Sequence, residues 1–197
     1  RDCAFALWKD NKFFSGKIAD LELSPAQVYE SIGKLQIVNI TLDRTIDDAQ
    51  AIFESLNSTG KELSESDLIR NYVLMGLEPN EQNYVYDHLW RPMELLFEYK
   101  TQGSAMDRFF RDYLTMKITR IPKQDRVYEE FKTYHLNCEF ATIRELCKDI
   151  YTYATYYTDM VFRRSSHSTL KSLYEDINDL RMEVSYPFLL KVHNDYE

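Results

Sequence analysis

The sequence is poor in the residues that break helices and in those that staple small folds together. Five glycines and five prolines in 197 residues leave few positions for tight turns and argue against a low-complexity or disordered chain. Three cysteines, Cys3, Cys138 and Cys147, form no regular framework, which argues against a disulfide-rich secreted scaffold. The odd count, with no signal peptide, fits a reducing cytoplasm. No apolar run is long enough to span a bilayer, so no membrane partner is expected. Positive charge is also in deficit. With 24 Lys and Arg against 32 Asp and Glu, the formal charge of -8 argues against tight nonspecific DNA binding by this chain alone. Such affinity comes mainly from Lys and Arg neutralising phosphates. A G-x-S-x-G elbow, a glycine-rich phosphate loop and an H-E-x-x-H pair are all missing, so the standard enzyme motifs are absent.

What the chain has in abundance is helical patterning, with 44% hydrophobic residues and enough length for a sizeable core. Ser24 as N-cap and Pro25 at the first helical position open one helix. Leu35–Leu42 alternates, with Leu35, Ile37 and Asn39 on one face and Val38, Ile40 and Leu42 on the other, and is the one convincing strand. Ala49, Ile52, Phe53 and Leu56 form an apolar stripe that ends near Asn57 and Gly60. Ser64 with Asp67 resembles a capping box, and so does Ser104 with Asp107. Between those two starts, Val85, Leu89, Met93 and Leu96 share a stripe in which Pro92 is expected to kink or restart the helix. Met106, Phe109, Phe110, Tyr113 and Leu114 predict a core-facing helix, and Phe140, Ile143, Cys147, Ile150, Ala154, Tyr157 and Val161 a packing seam. Leu170, Leu173, Ile177 and Leu180 mark a further helix, followed by a last one. The expected fold is mainly α, a multi-helix fragment with a small β element. Beginning at Arg1 in sequence that already looks helical, it is expected to come from something longer.

Several residues carry chemistry as well as packing. His135 and Cys138 have ligand-like spacing, but a second pair is missing and Cys147 lies on the seam, so no metal site is expected. Asp43, Asp47, Asp48 and Glu54 gather near one helix start, where acids either complement the dipole or approach a shared cation or nucleotide. Lys117, Arg120, Lys123 and Arg126 recur at every third position across a helix end, as a solvated surface or a phosphate and DNA contact. The fifteen tyrosines fall mostly on helical stripes, as core or interface residues more than base-stacking platforms.

The run "IFESLNSTGKELSESDLIRNYVLM", Ile52–Met75, is the densest in polar residues without an obvious packing role. Its leucines, Ser64 and Asp67 account for a helix–turn–helix corner, with Asn57 able to end one helix and Gly60 to supply a turn. Glu54, Asn57, Arg70 and Asn71 remain over, and from the residues alone a structural corner and a functional site stand level.

This run closely resembles the second motif of the GmrSD-type family, also called domain-of-unknown-function family 262, an F-E-x-L-N…G…L-S…D-L-I-R-N pattern followed by W-x-P-M-E. The matching positions are Phe53, Glu54, Leu56, Asn57, Gly60, Leu63, Ser64, Asp67, Leu68, Ile69, Arg70 and Asn71, then Trp90, Pro92, Met93 and Glu94. The resemblance implies a prokaryotic defence protein similar to nucleotide-dependent systems that restrict modified or foreign DNA, with a ParB/sulfiredoxin-like core that is α+β in the full-length domain. It makes residues 1–100 the C-terminal part of that N-terminal domain, and residues 101–197 a helical extension packed on it and truncated at its C-terminus. The family's first motif, D-G-Q-Q-R, is absent here, as is the H-N-H nuclease domain often found downstream, so the fragment is expected to be inactive alone. A nucleoside triphosphate and a divalent cation are implied for the full-length parent, with none held by the fragment, and DNA is implied as the parent's partner. Glu54, Asn57, Arg70 and Asn71 then become a nucleotide or cation site completed by the missing segment. The alternative is a helical protein-interaction module without catalytic activity.

Overall fold

The computed structural model describes residues 11–17, 19–20, 24–37, 39, 49–57, 63–98, 105–165 and 167–196. The chain divides into two compact units, Arg1–Asp43 and Arg44–Glu197.

In the first unit, residues 11–17 are helical and α1 spans Pro25–Gly33. Its start is a reciprocal capping box. The Ser24 hydroxyl accepts from the Gln27 N–H at 3.3 Å, while the Gln27 side chain accepts from the Ser24 N–H at 2.8 Å. The expected strand is not seen. Residues 35–37 and 39 are irregular, and among the described residues there is no strand; positions 38 and 40–43 lie outside them. The Leu35 N–H bonds back to the Ile32 carbonyl at 3.1 Å, so the run begins by prolonging the end of α1. Among the described residues no second strand is there to satisfy it.

The second unit is helical. Ala49–Asn57 is α2 and Glu65–Leu74 is α3. The helix α4 comprises Pro79–Val85, a π turn over Tyr86–Trp90 and Arg91–Phe97. Ala105–Ile118 is α5, Val127–Asn137 α6, Ile143–Phe162 α7, Ser168–Asp179 α8 and Tyr186–Tyr196 α9. The π turn answers Pro92: the Arg91 N–H reaches back five residues to the Tyr86 carbonyl, and the α-helix resumes with proline in its first turn, where a missing N–H costs least. The longer turn also advances the phase of the buried face. Val85, Leu89, Trp90, Met93 and Phe97 are buried, while Leu96, expected on the stripe, is only half-buried.

Helix α5 lies at the centre, with Phe109, Phe110, Tyr113 and Leu114 all fully buried, and α6, α7 and α9 pack around it. The seam on α7 buries Cys147, Ile150, Ala154 and Tyr157 as its spacing predicts. In α8 the buried residue is Tyr174; Leu173 and Leu180 are 50% and 70% exposed, because Leu170, Tyr174 and Ile177 form the inward face. The expected division near residue 100 falls inside the unit Arg44–Glu197, whose core joins Ile69, Val73, Trp90 and Met93 to Phe109 and Phe110.

The start of α3 is capped twice, once locally and once from α5 across the fold. The Ser64 hydroxyl accepts from the Asp67 N–H at 3.1 Å, and Asp107, the expected capping partner of Ser104, instead accepts from the Ser66 N–H of α3 at 2.8 Å. Ser104 itself lies outside the described residues. Ser64→Ala is expected to cost about 1 kcal/mol in urea unfolding, the ordinary loss for an N-cap.

Candidate functional site

Arg70 projects from α3 into an ion-pair chain that ties the two halves of the sequence motif together. Its guanidinium meets Asp67 at 3.0 Å, one turn back, and Glu94 of α4 at 3.2 Å. Glu94 also accepts from the Trp90 indole N–H at 3.0 Å and from Arg91 at 3.3 Å. D-L-I-R-N and W-x-P-M-E are therefore joined by contact, with Arg70 and Trp90 sharing one carboxylate oxygen. Asp67 and Glu94 are thus the two acids that hold Arg70.

Glu54 is held elsewhere. The Tyr128 hydroxyl of α6 donates to its carboxylate, and the Lys132 ammonium lies 3.2 Å from the same oxygen. Lys132 also pairs with Glu129 at 3.2 Å and sits 4.5 Å over the Tyr128 ring. Burial works against the Lys132 charge, but its hydrogen bonds to Glu129 and Glu54 prevail and hold its pKa above the usual lysine value. Glu65 at the start of α3 accepts the Tyr128 N–H, capping α6, and burial raises its carboxyl pKa despite that bond. Tyr72 completes the cluster by meeting His135 Nδ1 at 2.9 Å. A polar seam thus runs between α2, α3 and α6. At its edge the Cys138 thiol donates to the His135 carbonyl at 3.1 Å. Among the described residues no three His, Cys, Asp or Glu side chains converge.

Among the described residues, Glu54 and Arg70 are held by different partners, Glu54 by α6 and Arg70 by α4. Asn57 ends α2, and its side chain lies outside the described residues, as do Asp43, Asp47 and Asp48. Asn71 is half-buried on α3, and its side chain makes no hydrogen bond among the described residues. The basic series splits likewise. Lys117 is tucked against Asp149 at 2.8 Å and 4.5 Å over the Tyr153 ring, and Arg120 pairs with Glu130 at 2.6 Å. Lys123 and Arg126 are exposed, without an ion pair among the described residues.

Residues 6–74 match the family model described as GmrSD restriction endonuclease, N-terminal domain. That stretch, about a third of the chain, is what is similar to the GmrSD-type N-terminal domain. It ends on the last residue of α3, so it contains Glu54, Asn57, Arg70 and Asn71 but none of Glu94, Tyr128 or Lys132. No curated protein and no solved structure matches the chain. Among the described residues no helix is long and apolar enough to cross a membrane.

The partners that hold the GmrSD-type segment were not visible in its sequence. Tyr128 and Lys132 lie 74 and 78 residues from Glu54, and nothing local marks so distant a pairing. Asp149 left a better trace, because it sits three residues after buried Leu146 and four before buried Tyr153, an acid on the inward face of α7.

Proposed function

We propose that this chain is the helical arm of a nucleotide-dependent DNA-restriction protein, carrying one half of a nucleotide or cation site on α2 and α3. The observation that carries this reading is the grip on Glu54: a residue of the GmrSD-type segment is fixed by Tyr128 and Lys132, which lie beyond that segment. Glu54 and Arg70 act as positioning residues, each satisfied by neighbouring side chains. Asn57 and Asn71 are the contact residues toward nucleotide, its cation or the D-G-Q-Q-R segment that the family places upstream. The nucleoside triphosphate, the cation and the nuclease chemistry belong to the complete protein, and this chain alone neither hydrolyses nucleotide nor cuts DNA. DNA contact through this part falls to Lys123 and Arg126, since Lys117 and Arg120 are already paired.

The test uses a protein that contains both motifs. Asn71→Ala is expected to lower nucleotide hydrolysis about tenfold or more, equivalent to about 1.4 kcal/mol or more of barrier, with unchanged thermal melting. Lys132→Met is expected to lower hydrolysis and melting temperature together. Normal hydrolysis per folded molecule in the Asn71 variant would overturn the site. A second reading, a helical interaction module without activity, is favoured by exposed Phe13, Phe14, Tyr29 and Ile32 in the unit Arg1–Asp43, and it predicts that normal result.

A further inference from the structure

A cleft of about 640 Å³ opens in the unit Arg44–Glu197 between α5, α7 and the start of α9, and no residue of the GmrSD-type segment lines it. Its size lies within the range of about 300–1,000 Å³ typical of small-molecule sites. Two features give it a chemical character.

The first is an apolar mouth that stands in water. Ile121, which follows α5, Val184, in the turn before α9, and Phe188, in the first turn of α9, all line the cleft, and they are 63%, 84% and 69% exposed. Large apolar side chains scattered singly over a surface are ordinary, but three that line one concave opening form a patch that gains by being covered. Half-buried Val161 of α7 and Pro187 continue the same lining.

The second feature is a guanidinium with donors to spare. Of the charged residues in the lining, both acids have donors: the Tyr157 hydroxyl donates to the Asp112 carboxyl, and Glu183 lies 3.8 Å from Arg108. Arg111 differs from them. Its Nε–H donates to the Pro122 carbonyl at 2.9 Å, and it makes no ion pair among the described residues. Asp112, next to it in sequence, feels its charge without pairing with it. The bond to Pro122 holds the guanidinium and leaves its two terminal nitrogens, a planar fork that matches a carboxylate. The same bond keeps Lys123, the next residue after Pro122, close to this end of the cleft. Lys123 is exposed and makes no ion pair among the described residues, so it adds a second positive charge there.

We propose that this cleft binds a small apolar carboxylate, a fatty acid being the simplest member of the class, with its hydrocarbon among Ile121, Val184 and Phe188 and its carboxylate on the terminal nitrogens of Arg111. A neutral hydrocarbon would leave those nitrogens unmatched, and a cationic amphiphile would be repelled by them. The proposal uses neither Glu54 nor Asn71, so its failure leaves the site on α2 and α3 untouched.

Isothermal titration at neutral pH with decanoate, butyrate and decyltrimethylammonium provides the test. Decanoate is expected to bind saturably and at least about tenfold tighter than either of the others, since only it carries both the chain and the carboxylate. Arg111→Gln should bring decanoate down to the affinity of decyltrimethylammonium. Phe188→Ser should weaken decanoate by about threefold or more through lost apolar contact, while keeping its advantage over the cation. Circular dichroism confirms that each variant is folded. Phe188→Ser and Val184→Ser change exposed positions, so they test the cleft even if the Arg111 variant is unstable. Decanoate that fails to saturate, that binds no better than decyltrimethylammonium, or that binds Phe188→Ser and Val184→Ser as it binds the parent protein overturns the proposal.

Discussion

Trp90→Ala is expected to cost about 4 kcal/mol in urea unfolding, within the range of about 3–5 kcal/mol for truncating a buried Phe or Trp. Two losses combine. The indole is 1% exposed and stacks on Phe110 with centroids 5.9 Å apart and planes 15° from parallel, so alanine opens a void beside the central helix. Its N–H also donates to Glu94 at 3.0 Å, the oxygen that Arg70 reaches at 3.2 Å. Trp90→Phe separates the two, because it keeps most of the packing and removes the donor. A cost of about 1.5–3 kcal/mol is expected for that variant, as for a hydrogen bond to a charged group. A double-mutant cycle of Trp90→Phe with Arg70→Met should return a coupling of at least about 0.5 kcal/mol, as expected for residues in one hydrogen-bond network. Independent, additive effects would show that Glu94 does not join the two motifs.

That junction marks where sequence reading works and where it stops. Helix starts were legible because their chemistry is local: Ser24 with Gln27 and Ser64 with Asp67 are separated by three residues, within reach of one turn. The apolar faces of α5 and α7 were legible for a similar reason, since a helix that buries one side must repeat near every 3.6 residues. The face of α4 drifted because a π turn changes that repeat, and only Pro92 hinted that the helix would be perturbed. The polar residues were harder. Their role depends on a partner, and the partners of Glu54 lie on a helix beyond the family segment. The motif pattern holds Arg70 and Glu94 together in sequence, and the structure supplies the cause, a shared ion pair. The site residues separate along the same line. Glu54 and Arg70 are explained by contacts within the fold, whereas Asn71 has no such account.

Asp149→Ala is expected to destabilise the fold by about 3 kcal/mol, because removing one partner of a sheltered charge cluster leaves the others uncompensated. The carboxylate accepts from the Tyr113 hydroxyl at 2.6 Å and meets the Lys117 ammonium at 2.8 Å. Tyr113 is fully buried, and burial raises its hydroxyl pKa well above the usual value, so the phenol stays a neutral donor in need of an acceptor. Without Asp149 the nearest alternative is the Tyr134 hydroxyl at 3.4 Å, a weak bond at that length. Lys117 would then sit against the Tyr113 and Tyr153 rings, at 5.3 and 4.5 Å from their centroids, with cation–π attraction alone opposing its partial desolvation. Lys117→Met relieves that charge, so the double variant with Asp149→Ala should be less destabilised than the sum of the two single variants, by about 1–3 kcal/mol. Denaturant unfolding of the four proteins measures the difference. The same cycle decides the standing of Lys117 in the basic series. A lysine whose substitution acts through Asp149 belongs to the core of α5 and α7, and Lys117→Met should leave DNA affinity per folded molecule unchanged. Lys123→Gln and Arg126→Gln, at exposed positions, should lower it and reduce its salt slope by about 1 for each phosphate no longer neutralised.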